Sequence, residues 1–396
     1  MPITPSSFNK SADAPKEAPE TVEQKEPINQ APEEEPKKNR LKQAFDFLNK
    51  IGTVSASEKL FFIQHLSIML KAGISLSMAL KTLSRQTSNK RFSGIITDIS
   101  QKVEKGISFT ESLRPHEKIF GSLFINMIES GEVSGKLEEV LKRLYIQFKK
   151  NHELVSKVKG ALTYPSVIFI AMAGIGVFMM IFVIPKITAM FKDFNAELPV
   201  VTKILILFSD SLVAYGPFYL VGLIVVILMI TQILKTKSGR YAFDGLLLKL
   251  PVIAPIAKKI NLARFARTAS SLLETDIMIV KSFQITASIS SNTHYREALM
   301  EMSEKIKKGG TIDEVIAIYP KLFPPVVAQM IAVGEETGEL DYILRELAEF
   351  YEGEIDQTMN NLPAIIEPIL ILVLGIVVGG MALAVIMPMY SLTSAI

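Results

Sequence analysis

No cysteine occurs among the 396 residues, and histidine occurs only four times. The first absence excludes disulfides, thiol catalysis and thiolate metal sites. His65, His116, His152 and His294 show neither metal-ligand spacing nor a paired acid or nucleophile. Gly135-Lys136 lacks the upstream glycine and the hydroxyl of a phosphate-binding Gly-x4-Gly-Lys-Ser/Thr loop. Strong charge imbalance is missing too. The 43 Lys and Arg face 40 Asp and Glu, for a net charge of +3, so no nucleic-acid binding is expected. The first 30 residues hold no apolar run, so we expect no cleavable signal peptide and insertion through internal spans. Neither a cofactor nor an enzymatic activity is expected from these parts.

What is present is a duplication. Gly131-Glu132-Val133-Ser134-Gly135-Lys136-Leu137 returns as Gly334-Glu335-Glu336-Thr337-Gly338-Glu339-Leu340, an offset of 203 residues (334 − 131). The same offset pairs Phe62 with Phe265, Leu70 with Leu273, Ile74 with Ile277 and Gly106 with Gly309. Further along it pairs Phe120 with Phe323, Leu141 with Leu344, Pro165 with Pro368 and Pro185 with Pro388. A period this long is two copies of one domain, not a solenoid of short repeats.

Residues 1–40 are rich in Pro, Glu, Lys, Ser and Ala and poor in large apolar side chains, so a disordered tail is expected. Helical periodicity begins after it, and no alternating strand pattern competes. Ser55 with Glu58, Ser108 with Glu111, and Thr311 with Glu314 have capping-box spacing. Each copy reads as a bundle of about six helices, over 41–163 and 257–363.

Three apolar stretches are long enough to cross a bilayer, at 164–185, 212–234 and 364–388. No acidic or basic residue lies in the middle of any of them. Lys149, Lys150, Lys157 and Lys159 precede the first, and Lys235, Lys237 and Arg240 follow the second. The basic bias puts the N-terminus, both bundles and the 235–256 connector in the cytoplasm. The 186–211 loop and the 389–396 tail then face outward. The middle span returns the chain so that both copies fold on one side.

In the Gly-Glu-x-x-Gly stretches, Gly131 and Gly334 suit a left-handed helix cap, and Gly135 and Gly338 a tight turn into the next helix. Glu132 and Glu335 are then expected on exposed hairpin tips, where a partner can meet them. Gly375 and Gly379 in the third span, and Gly174 and Gly176 in the first, permit close helix approach, within the chain or between two copies. Glu367 is an acidic group at a span edge, and its counterpart in the first copy is Tyr164.

The duplicated domain, the two Gly-Glu-x-x-Gly motifs, and the Tyr164-Pro165 and Glu367-Pro368 pairs resemble the GspF/PilC family of type II secretion and type IV pilus machines. Leu66–Leu80, Leu198-Pro199 with Thr202, Leu246–Pro251 and Arg264-Phe265-Ala266-Arg267 extend the likeness, which covers about residues 54–390. Asp276 departs from it where the first copy has Gly73, and Ala254 replaces a usual glycine. The resemblance implies an all-α integral membrane protein of two homologous cytoplasmic six-helix bundles and three transmembrane helices. It implies a non-enzymatic platform in the bacterial inner membrane, with a hexameric assembly ATPase, pilin-like subunits, other assembly components and a second copy of itself as partners. A small-solute transporter built from repeats is the alternative. It predicts polar residues near span centres, and none occurs here.

Overall fold

Helix bounds repeat with the sequence. The computed structural model describes residues 53–193 and 200–393; the tail expected over 1–40 and the Leu198-Pro199 pair lie outside them. The first bundle comprises α1 (Ala56–Lys71), α2 (Leu76–Gln86), α3 (Lys90–Glu104), α4 (Phe109–Leu113), α5 (Glu117–Phe120), α6 (Ser122–Ser134) and α7 (Leu137–Phe178). A 3-10 turn, Arg114–His116, joins α4 to α5, so these two share one of six helical positions. Next come α8 (Ile184–Asp193), α9 (Val200–Lys235) and α10 (Lys237–Leu247). The second bundle comprises α11 (Ile253–Leu273), α12 (Ile279–Ile289), α13 (Thr293–Lys307), α14 (Ile312–Ile318), α15 (Pro325–Thr337) and α16 (Leu340–Thr393). Adding 203 to the bounds of α2, α3 and α6 returns those of α12, α13 and α15. The described residues contain no strand.

Local chemistry sets the starts. Ser55 and Glu58 form a reciprocal capping box on α1, with Glu58 N donating to Ser55 Oγ at 3.2 Å and Ser55 N to Glu58 Oε2 at 2.7 Å. Ser108 accepts from Glu111 N at 3.1 Å, but Glu111 itself turns to Arg114. Thr311 makes no side-chain cap, and Glu314 pairs with Lys305. The two copies therefore start this helix at equivalent places with different chemistry. Gly73 and Asp276 both stop a helix in the left-handed region, at φ 79° and 60°. Asp276 is the one non-glycine with positive φ among the described residues, so the departure from glycine leaves the turn unchanged.

Each bundle closes on aromatics. Phe62 lies 5.6 Å from Phe92, which lies 6.0 Å from Phe120. The second copy repeats the trio as Phe265, Tyr295 and Phe323, with Tyr295 donating its hydroxyl to Leu322 O at 2.7 Å. The two cores are not separate. Leu272, Ile277 and Ile285 of the second bundle belong to the apolar cluster of the first, and Leu154 of α7 to that of the second.

Three helices are long and apolar enough to cross a membrane: Leu137–Ala189, Thr202–Lys235 and Leu340–Gly380. Two of them begin inside a bundle. Pro165 sits within α7 and Pro368 within α16, so the Tyr164-Pro165 and Glu367-Pro368 pairs lie in continuous helix. The described parts of 186–211 are helical as well, and α16 runs on to Thr393. One break in regularity has a cause. A π-turn, Met179–Val183, precedes Pro185, whose ring displaces the carbonyl four residues back and whose nitrogen donates nothing. Ser209 of α9 donates to the Met180 carbonyl in that turn at 2.5 Å. The 235–256 connector holds α10, whose buried Asp244 accepts from Thr293 N at 2.8 Å and Thr293 Oγ1 at 2.6 Å, starting α13.

Leu272 is fully buried in the neighbouring bundle's core. Leu272→Ala is expected to cost about 2–5 kcal/mol and to lower the unfolding midpoint of both bundles together. Circular dichroism melts of detergent-solubilised protein check this. An undisturbed first bundle would show that Leu272 serves its own bundle alone.

Candidate functional site

The Gly-Glu-x-x-Gly stretches divide their work differently from the sequence expectation. Gly131 lies inside α6 and is buried, so it is not the left-handed cap. A Cβ there would stand 2.8 Å from Val140 Cγ2 and 3.3 Å from Leu137 Cα on α7. Gly334 in α15 faces Ile343 and Leu340 of α16 in the same way, at 3.0 Å and 3.2 Å. Both glycines therefore exist to let two helices touch. The left-handed caps are Gly135 (φ 70°) and Gly338 (φ 76°). Which glycine of such a pair caps and which packs depends on a residue nine positions further on, so local spacing does not reveal it.

The glutamates also differ from expectation. Both are half-buried, with carboxylates turned inward. Glu132 Oε1 accepts from Phe109 N at 2.7 Å, and Oε2 from Thr110 N at 2.9 Å and Thr110 Oγ1 at 2.7 Å. It thus satisfies the free N–H groups that open α4. Glu335 does the same for α14, both its oxygens accepting from Ile312 N at 3.1 and 2.9 Å. Burial raises the Glu335 carboxyl above its ordinary value and Asp313 and Glu314 add to the rise, while the Ile312 and Asp313 amides oppose it. The exposed tip belongs to other residues, above all Val133, which is 86% exposed, with Glu336 and Thr337 in the second copy.

Residues that the duplicate pattern did not single out join the bundles. Glu274 accepts from Arg143 and, at 2.6 Å, from Arg345. Ser130 Oγ donates to Thr275 O at 2.8 Å, and Gln147 Nε2 to Thr268 Oγ1 at 2.9 Å. Lys150 pairs with Glu352 at 3.3 Å and Lys157 with Asp356 at 2.5 Å, tying α7 to α16. A mainly apolar recess, with Phe120, Phe148 and Leu154 in its wall and Asn151, Arg264 and Arg267 as polar groups, opens at this junction. Burial lowers the Arg264 pKa there. Among the described residues, no three His, Asp or Glu side chains converge as metal ligands. Gly174, Gly176, Gly375 and Gly379 meet no neighbour within 4 Å, so these small-residue positions are open. Glu367 is exposed at the side of α16.

Gly131→Ala should cost about 1–3 kcal/mol through overlap with Val140, and Glu132→Ala about 1–2 kcal/mol through the uncapped α4, both read as a lowered melting midpoint. Glu335, with its raised folded pKa, favours the fold most at low pH and loses that contribution as pH rises through the raised value. Glu335→Gln is therefore expected to flatten the fall in midpoint between acidic and neutral pH. A parallel fall in both proteins would refute the assignment.

Two segments, 62–185 and 265–388, match the family model described as type II secretion system (T2SS), protein F. The type IV pilus assembly protein PilC of Myxococcus xanthus is 36% identical over 346 residues, 87% of this chain and 82% of its own. PilC of Thermus thermophilus is 36% identical over 331 residues, 84% of this chain and 81% of its own. The type II secretion system protein F of Vibrio cholerae is 29% identical over 352 residues, covering 89% and 86%. The matched segments carry the same 203-residue offset as the helices, the caps and the crossing glycines, and this multi-pass chain belongs to the type II secretion protein F (GspF/PilC) family.

Proposed function

We propose that this chain is a non-enzymatic platform in the bacterial inner membrane that couples a cytoplasmic hexameric assembly ATPase to the assembly of pilin-like subunits. Its bundles and N-terminus face the cytoplasm and its C-terminus faces outward, on the strength of the lysines and arginines flanking the spans. Type IV pilus assembly is the machine we favour, because the PilC relatives reach 36% identity and the Vibrio cholerae protein F 29%. Pilins, other inner-membrane assembly components, lipid and a second copy are its partners in this reading.

The observation that carries the mechanism is helix continuity. α16 passes from a bundle into the bilayer without interruption, and its 54 residues make a rod of about 80 Å. Force applied to the bundle reaches the span without a loop to absorb it. An ATPase that tilts or turns the bundles would thereby move the spans against neighbouring pilins.

In-cell photocrosslinking tests the reading, with probes at Val133 and Glu336 on the exposed tips and at Gly379 in the third span. The inward-facing Glu132 and Glu335 are unsuitable, because replacing them removes a helix cap. An assembly ATPase captured at the tips and a pilin at Gly379 are expected. Capture of only lipid and the protein itself would overturn the platform reading.

A further inference from the structure

The repeat partners α7 and α16 lie side by side, but at the end that carries the glycine turns the two bundles meet through unlike faces. The first uses the α6–α7 side that carries its Gly-Glu-x-x-Gly turn. The second uses the α11–α12 tip around Asp276. An interface between unlike faces of like domains is head-to-tail, and it leaves one copy of each face unused. The free pair is the α1–α2 tip of the first bundle and the part of the α15–α16 side around Val333 and Glu346.

Burial marks both as sockets and knobs without partners. Ile277 projects from the second bundle's tip into the first bundle's apolar cluster and is 8% exposed. Its counterpart Ile74, the same residue at the same place in the repeat, is 39% exposed. On the opposite face Leu123 is 7% exposed, and its counterpart Val326 is 49% exposed. Isolated apolar exposure is ordinary, but here two halves of one known contact are bare at once.

One polar contact carries over in complementary form. Arg143 with Glu274 becomes Glu346 with Lys71, an ion pair of reversed sign. The Ser130 hydroxyl, which donates to the Thr275 carbonyl, becomes Val333 opposite Ala72, so that hydrogen bond is not repeated. All four of these counterpart residues are exposed. The membrane permits the repeat as well. Lys150–Glu352 and Lys157–Asp356 run in the same direction along α7 and α16, so the copies stand parallel and a repeat of that relation leaves every added span pointing the same way.

We propose that a second copy of this chain docks its α15–α16 side onto the α1–α2 tip, repeating the intramolecular bundle contact between chains. Its occupant is the protein itself, and it stands independently of the ATPase reading, because the contact is read between chains alone.

The absence of native cysteine makes a direct test available. Two full-length copies with different tags, one Ala72→Cys and one Val333→Cys, are co-expressed and mildly oxidised in membranes. A disulfide joining the two tags, in excess over either like-with-like dimer, is expected. A single chain with Ser130→Cys and Thr275→Cys serves as the control for the contact already present. Formation of the control bond without a mixed-tag product overturns the proposal. Like-with-like dimers in excess overturn it too, since they mean matching faces meet. Lys71→Glu should lower the mixed-tag yield about tenfold by opposing Glu346, and adding Glu346→Lys should restore it. A yield indifferent to both charge changes would also reject the pairing.

Discussion

Two helices can cross at the distance seen here only where one of them has no side chain. Gly131 lets α6 lie against Val140 and Leu137 of α7, and Gly334 does the same for α15 and α16. This contact sets the angle at which the last helix leaves each bundle, and that helix is the one that becomes a membrane span. The first and third apolar helices therefore each leave their bundle over a glycine crossing. The adjoining glutamate holds the preceding short helix to the same hairpin by accepting its free amides. Crossing, cap and left-handed stop occupy five consecutive residues, so a single short motif orients three helices.

Duplication supplies two such units, and their difference is as informative as their likeness. The cores are equivalent down to the aromatic trio, while the surfaces have diverged by role. Arg143 and Glu274 meet across the junction, whereas their counterparts Glu346 and Lys71 look outward. Ser271 at the junction is buried, and its counterpart Ile68 is 55% exposed. The permanent contact mixes buried apolar side chains with ion pairs and hydrogen bonds, while the equivalent positions on the other faces stand exposed.

Much of this was legible in the residues. The 203-residue offset located both bundles, since helix bounds follow apolar periodicity and turn glycines that the two copies share. The apolar stretches marked three helices able to span a membrane, because length and lack of charge suffice for that inference. The roles within the glycine motif were not legible. Gly131 and Gly135 have the same local signature, and only Val140 across the crossing separates them. Glu132 looked like a surface acid because its acceptors' donors lie 22 and 23 residues away. Pro165 and Pro368 lie inside continuous helices, which tolerate proline in lipid better than in water. The junction between bundles was hidden for a different reason: a repeat pattern presents its copies as equals, and a head-to-tail contact does not treat them so.

The π-turn before Pro185 gives the first two apolar helices a point of attachment. It leaves the Met180 carbonyl to be met by the Ser209 hydroxyl, a residue on the following apolar helix. In hydrocarbon no water can take that place, and an unmet carbonyl costs several kcal/mol. The Ser209 hydroxyl thus joins the first two apolar helices at a point where the first departs from regular α-helix.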